Sequence, residues 1–148
     1  MQLNPDIVIV GGGLVGLSAA LALQHPDRHI SVIESSALEQ KAVTGLGARS
    51  IALSYASMQI FKALGLSKDI KTAASPINTI HISSQGEWGV TRLQACDYDL
   101  EAMGYVIESA KLGTLLLDRV KQSKSISLNT RAEFESAHFG DQVKLSYR

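Results

Sequence analysis

The feature that most constrains the fold is a glycine cluster directly after a short apolar run near the start of the chain. Residues 6–10 are apolar after the first position and mostly β-branched, which is typical of a strand buried on both faces of a parallel sheet. Glycines at 11–13 interrupt the run, and an Ala- and Leu-rich helix is predicted over 14–23. A second strand is predicted over 29–33. A right-handed crossover then makes the two strands parallel neighbours.

The glycines follow the spacing Gly-x-Gly-x-x-Gly, in which each position has its own role. Gly11 permits the tight turn after the strand, Gly13 lets a pyrophosphate approach the backbone, and Gly16 lets the helix pack closely on the strand. The first helical turn, at Leu14 and Val15, offers N–H groups and a partial positive charge to phosphates. The pattern therefore predicts a site for the ADP part of a dinucleotide.

An acidic residue ends the second predicted strand. Glu34 lies 18 positions after Gly16, where a carboxylate accepts hydrogen bonds from a ribose diol, and Ser35 next to it is included in the predicted site. A carboxylate here disfavours a 2′-phosphate and hence NADP. The motif by itself leaves both FAD and NAD open, because both contain ADP.

Composition and charge restrict the function classes. Fourteen Lys and Arg balance fourteen Asp and Glu, so the chain lacks the basic excess typical of nucleic-acid binding. The single cysteine, Cys96, excludes an internal disulfide and is expected to be a half-buried, unreactive residue in a reducing compartment. No metal site is predicted, because four histidines stand without metal-ligand spacing: His25, His29, His81 and His138. The apolar N-terminal run has no preceding Lys or Arg and contains four glycines, so neither a signal peptide nor a membrane helix is predicted.

A loop, two helices, a strand and two hairpins are predicted along the rest of the chain. In order, these are a loop at 35–47, a helix at 55–64 ending before Gly65, a hairpin of 77–83 and 88–93, a helix at 112–120, a strand at 125–128 and a hairpin of 132–139 and 142–147. Gly140-Asp141 is interpreted as the turn of the last hairpin. The acidic run of Asp97, Asp99 and Glu101 is interpreted as a solvated loop.

Several later segments carry a more selective resemblance. They are ARSIALS at 48–54, FKALGL at 61–66, IHIS at 80–83, GVTR at 89–92 and GYVIE at 104–108. With the glycine motif, they resemble the FAD-dependent ubiquinone-biosynthesis hydroxylases, which are class A flavoprotein monooxygenases, over essentially the whole chain. The resemblance implies an α/β fold: the N-terminal part of a Rossmann-like FAD-binding fold with an inserted β-hairpin of the substrate domain and a β-meander. It implies an FAD-binding unit with the following helix at 1–75, the hairpin at 76–105 and a return to the FAD-binding domain at 106–148.

The resemblance also assigns site residues. The three motif glycines match the family's pyrophosphate-binding positions, and Glu34 matches its ribose-binding acid. Arg49 matches an arginine that lies against the cofactor, and Ser109 stands where the family often has a longer Gln or Asn near the flavin. No catalytic residue is assigned, since the flavin supplies the chemistry and the protein supplies orientation and a dry cavity.

The implied function is hydroxylation of the aromatic ring of a prenylated phenol in ubiquinone biosynthesis, with FAD as cofactor, NAD(P)H as transient electron donor and O₂. Other ubiquinone-biosynthesis proteins are expected partners, and a cytoplasmic location with peripheral membrane contact is expected. Two later cofactor motifs of the family are not found in their context, so the chain is expected to be an N-terminal piece that is inactive alone. Two alternatives stay open: an NAD-dependent dehydrogenase or flavin-dependent prenyl-lipid reductase, and a non-enzymatic remnant.

Overall fold

The computed structural model describes residues 4–37, 49–86 and 88–148, which fall into two compact units. The first unit contains the described residues up to 37 together with Ser109–Arg148, and the second unit is Arg49–Glu108. These boundaries differ from the predicted segments, since residues 49–75 belong to the second unit, whereas the prediction groups them with the glycine motif. The functional division into 1–75, 76–105 and 106–148 stays a prediction.

A parallel sheet forms the centre of the first unit. Its strands are β1 (Ile7–Val10), β2 (Ile30–Glu34) and β8 (Ile126–Thr130), in the order β1-β2-β8. β1 pairs with β2 and β2 with β8, in parallel register both times, so the predicted parallel neighbours are confirmed. Helices α1 (Leu14–Ala22) and α4 (Ser109–Lys121) pack against each other beside this sheet.

The core of the first unit follows from these residue spacings. Every residue of β2 is buried, because the strand has a neighbour on both sides. The helices bury residues at helical spacing, which are Leu17, Ala20 and Leu21 in α1 and Leu112, Leu116 and Val120 in α4. Burial of one such Leu, Ile or Val side chain is worth about 1.5–3 kcal/mol, so these buried faces stabilise both helices in the first unit.

The first unit ends in a hairpin of β9 (Phe134–His138) and β10 (Lys144–Tyr147), which pair antiparallel. Gly140-Asp141 lies in their connection, so the predicted hairpin turn is confirmed. Glu133 and Arg148 continue the ladder, because each donates its backbone N–H to the other's carbonyl oxygen. Where a β-meander was predicted, the described residues thus form a two-stranded hairpin.

The second unit contains an antiparallel sheet of β3 (Ser50–Ser54), β7 (Gly104–Glu108) and β4 (Ser75–Ile77), in the order β3-β7-β4. Helices α2 (Tyr55–Ala63) and α3 (Ser67–Ala73) connect its strands. The Ser54 hydroxyl caps α2 by accepting the Ser57 N–H at 3.1 Å, and Gly65 ends that helical segment at a φ of 73°. The predicted helix at 55–64 is confirmed, whereas α3 was not predicted because Ile70 is its one buried residue.

A separate hairpin of the second unit pairs β5 (Thr79–Ser83) with β6 (Val90–Gln94). It confirms the predicted hairpin with corrected bounds: Ile77 belongs to β4 and pairs with Gly104, and the second strand begins at Val90 rather than at residue 88. A 3-10 turn at Ala95–Tyr98 follows, and it exposes Cys96. The expectation of a half-buried cysteine was wrong, since the side chain lies on a surface turn. Across the described ranges, no helix combines the length and apolar character needed to cross a membrane.

Candidate functional site

The glycine turn is attached to the end of the parallel sheet. Gly11 has a φ of 105°, a conformation that glycine adopts readily and L side chains rarely do. Its N–H donates to the carbonyl oxygen of Ile33 at 2.8 Å, which holds the turn beside β2. The turn therefore lies at the carboxyl edge of the sheet, where open α/β sheets bind ligands.

Gly16 and Gly13 have contrasting surroundings. A Cβ at Gly16 would overlap the carbonyl oxygen of Gly11 and lie 3.4 Å from Cγ2 of Ile9, so only a hydrogen fits there. A Cβ at Gly13 would meet no atom within 4 Å. The first position is closed by the packing of α1 on the turn, and the second is open to an approaching group.

Helix α1 presents its N-terminus at the same place. Gly13 is the N-cap residue and has no side chain to satisfy the first N–H groups, and the first turn contains no acidic residue. Val15 in that turn is 83% exposed. The partial positive charge of the helix end is thus accessible to an anion.

Glu34 joins the turn to the end of β2. Its side chain is buried, and its Oε2 accepts the N–H of Gly12 at 2.8 Å. Its Oε1 accepts the N–H of Ser36 at 2.9 Å and the hydroxyl of Ser36 at 2.7 Å, with the Ser35 hydroxyl farther away at 3.3 Å. The fold therefore brings donors from Gly12 and Ser36 to the carboxylate of Glu34.

Ser36 was missed by the sequence-based prediction, which named Ser35. Both hydroxyls follow Glu34 in a Ser-Ser pair, and the sequence offers no signal that separates them. The backbone turn after β2 decides between them, since it directs both the N–H and the hydroxyl of Ser36 to the carboxylate.

These residues fit the ADP part of a dinucleotide. The space beside Gly13 leaves room for a pyrophosphate, and the N-terminus of α1 can donate hydrogen bonds to it. The carboxylate of Glu34 stands at the end of the neighbouring strand, the position from which a ribose diol is bound. The fit rests on backbone geometry together with one buried acid.

The other predicted site residues lie elsewhere along the chain. Arg49 is an exposed residue directly before β3, in the second unit. Ser109 is the first residue of α4, in the first unit, and is half-buried. Cofactor contacts of Arg49 and Ser109 stay predictions. Most of the predicted loop at 35–47 lies outside the described residues.

The acidic run contains one side chain with defined partners. Glu101 accepts hydrogen bonds from Nζ of Lys71 and, at 3.1 Å, from the hydroxyl of Tyr105. The hydrogen bond from Lys71 is the main cause that lowers the pKa of Glu101, and the same bond raises the pKa of Lys71. Burial, followed by its bond to Glu101, raises the pKa of Tyr105. The interpretation as a solvated loop is therefore incomplete for Glu101, which links α3 to β7.

The described parts of the chain contain no group of three or more His, Cys, Asp and Glu side chains able to hold a metal ion. The groups that meet at the glycine turn are backbone N–H groups, hydroxyls and a carboxylate, which can bind and orient a ligand.

Comparison with known families agrees with this geometry. Residues 4–145 match the family model described as FAD binding domain. The chain belongs to this FAD-binding domain family. The match decides between the two dinucleotides that the glycine motif left open, so the predicted cofactor FAD is confirmed.

The sequence is also similar to those of longer proteins. An uncharacterized protein of Synechocystis is 32% identical over 139 residues, covering 94% of this chain and 33% of the relative. The mitochondrial ubiquinone biosynthesis monooxygenase COQ6 of Dictyostelium discoideum is 30% identical, covering 83% of this chain and 28% of the relative. The chain thus spans about a third of the length of these relatives, and the resemblance to ubiquinone-biosynthesis hydroxylases is confirmed.

A solved structure shares the fold. The flavin-dependent monooxygenase PieE, solved in complex with FAD and substrate, superposes with a TM-score of 0.76 at 21% identity, over 99% of this chain and 27% of that chain. The predicted α/β, Rossmann-like FAD-binding fold is therefore confirmed, while the assignment of the β5–β6 hairpin to a substrate domain stays a prediction.

Proposed function

We propose that the chain supplies the ADP-binding part of the FAD site in an aromatic-ring monooxygenase. The observation that carries the proposal is the junction of Gly12 and Glu34 beside the uncapped N-terminus of α1. In this proposal the backbone of Gly11 and Gly13 and the first turn at Leu14 and Val15 bind the pyrophosphate.

The remaining site residues complete the binding of the cofactor. Gly16 keeps α1 against the turn, and Glu34 binds the ribose diol with Ser35 nearby. Arg49 and Ser109 contact the cofactor farther along. Bound FAD supplies redox chemistry, in which NAD(P)H is oxidised, O₂ is reduced and an aromatic ring is hydroxylated.

We further propose a prenylated phenol of ubiquinone biosynthesis as the substrate of the whole protein. The similarity to a ubiquinone biosynthesis monooxygenase supports this choice, as do the segments at 48–54 and 104–108 that resemble those hydroxylases. Because a prenyl tail partitions into lipid, the whole protein is expected to meet its substrate at a membrane surface, with other proteins of the same biosynthesis nearby.

Calorimetric titration of the purified chain with FAD, with NAD as the comparison ligand, tests the cofactor site. We expect FAD to bind more tightly than NAD. Gly13→Ala fills the open position beside the turn and is expected to weaken FAD binding at least tenfold, a change of about 1.4 kcal/mol in binding free energy.

Gly140→Ala is the matched control, because a Cβ there meets only an ordinary contact at 3.8 Å in the β9–β10 connection. This variant should bind FAD as the unchanged chain does. Tighter binding of NAD than of FAD, or equal FAD affinity in Gly13→Ala and the unchanged chain, contradicts the proposal.

A further inference from the structure

We propose that Ser36 is a positioning residue of the cofactor site, which holds the Glu34 carboxylate against the glycine turn. The inference rests on the proposed function in one respect, namely that Glu34 binds the ribose of the ADP part. It assigns to Ser36 the orientation of that carboxylate and, through it, the position of Gly12.

Ser36 holds one oxygen of the carboxylate at two points. Its N–H donates to Oε1 of Glu34 at 2.9 Å and its hydroxyl donates to the same oxygen at 2.7 Å. The other oxygen, Oε2, accepts the N–H of Gly12 at 2.8 Å. Because the two oxygens belong to one planar group, fixing Oε1 also fixes the direction in which Oε2 meets the turn.

The burial of Glu34 makes these donors important. Glu34 is only 4% exposed, so water cannot solvate its carboxylate as it does on the surface. Hydrogen bonds to a charged group are stronger than those between neutral groups, and a buried group that loses one bears a desolvation cost. Removing the Ser36 hydroxyl therefore favours a rotated carboxylate that releases Gly12.

Ser35 provides a natural comparison within the same turn. It carries the same hydroxyl next to Glu34, yet its oxygen lies 3.3 Å from Oε1 and the residue is exposed. Ser36 is less exposed and contributes two shorter bonds. The two serines thus differ in geometry while sharing their chemistry.

The experiment compares Ser36→Ala, Ser35→Ala and Ser36→Thr in the purified chain. The first readout is the exchange rate of the Gly12 amide proton in ligand-free protein, followed by NMR. The second is the affinity for ADP and for FAD by calorimetry. We expect Ser36→Ala to speed exchange at Gly12 and to weaken both ligands by about tenfold each, as for loss of one charge-assisted hydrogen bond. Ser35→Ala removes a longer contact to the same oxygen and should have a clearly smaller effect than Ser36→Ala on both readouts, and Ser36→Thr should restore the values of the unchanged chain.

Exchange in β8 serves as the folding control, since Asn129 lies in the same sheet but not at the turn. Unchanged exchange at Gly12 in Ser36→Ala, or equal effects of the two alanine variants, overturns the proposal. If Ser36→Ala unfolds, a Ser36→Thr chain that folds but exchanges rapidly at Gly12 overturns it as well. Failure of the unchanged chain to bind FAD or ADP counts against the proposed function, whereas the ligand-free exchange rates still decide the role of Ser36.

Discussion

Strands β2 and β5 have five residues each and similar sequences, ISVIE and TIHIS, yet they have opposite surroundings. All residues of β2 are buried, whereas all residues of β5 are exposed. β2 lies between β1 and β8 in the first unit, and the described partner of β5 is β6 alone. A run of β-branched residues therefore indicates a strand, while the neighbours of that strand in the sheet determine how much of its surface is buried.

The two units also use carboxylates differently. In the first unit the buried Glu34 accepts hydrogen bonds from Gly12 and Ser36 and so fixes a backbone turn. In the second unit Glu101 is exposed and pairs with Lys71, where water and salt weaken the attraction. The first arrangement shapes a binding site, and the second makes a modest contribution to holding α3 beside β7.

The largest expected effect on stability comes from shortening Ile30 of β2, with Ile82 of β5 as the matched comparison. Ile30 of β2 is 0% exposed and Ile82 of β5 is 51% exposed. We expect Ile30→Ala to lower the free energy of unfolding of the first unit by about 2–5 kcal/mol, because it leaves a cavity in a packed core. Ile82→Ala should change the stability of the second unit by less than about 0.5 kcal/mol.

Urea unfolding, followed in each unit by amide exchange, measures both values. Comparable losses from the two substitutions would mean that the hairpin face is covered in solution, and the contrast between β2 and β5 would then fail.

A second comparison uses two glycines with closed surroundings. A Cβ at Gly16 would overlap the carbonyl oxygen of Gly11, and a Cβ at Gly104 would overlap that of Leu53. Each alanine substitution should destabilise its own unit by about 1–3 kcal/mol through overpacking. We expect Gly16→Ala also to abolish measurable ADP binding, because α1 must shift away from the turn.

Gly104→Ala is the control for this pair and should leave ADP affinity unchanged, since its strand lies in the second unit. Calorimetry with ADP after checking the folded fraction separates the two effects. Equal loss of ADP affinity in both variants would refute the placement of the ADP-binding part at the glycine turn.

The smallest expected effect is the pH dependence of the Glu101 pair. The folded protein lowers the pKa of Glu101, chiefly through the Lys71 hydrogen bond. The stabilisation that ionised Glu101 contributes is therefore present above its ordinary pKa of 4.5 and is lost as the pH falls through the lower pKa of the folded protein. The pKa of Lys71 is raised above 10.5, so its contribution is present below that pH and is lost as the pH rises through the higher folded value.

Urea midpoints of the unchanged chain and of Glu101→Gln, measured between pH 2 and 8, test the acidic side. The two midpoints should differ slightly at neutral pH, with the unchanged chain higher, and should converge at the acidic end as Glu101 becomes protonated. A difference that stays constant throughout this pH range would show that the charge of Glu101 has no part in it.

Much of the first unit could be predicted from local sequence. The apolar run indicates a strand, and the glycine spacing after it indicates a turn that leads into a helix. These signals can be interpreted locally because they depend on neighbouring positions in the sequence. The sheet β3-β7-β4 was not predicted as a unit, since its strands come from distant parts of the chain and none shows a long alternating pattern. Helix α3 was missed because one buried residue gives no helical stripe.

For the candidate site, the sequence determined the residue types: glycines at the turn, and Glu34 at the end of the next strand. Tertiary structure decided which groups meet there, because Glu34 reaches Gly12 only when β1 and β2 pair side by side. It also chose Ser36 over Ser35, through the direction of one backbone turn, and it buried β2 while leaving β5 exposed. The physical reason is the same in each case: hydrogen bonding and burial depend on neighbours that are distant in the chain, or on a backbone direction that residue types alone do not fix.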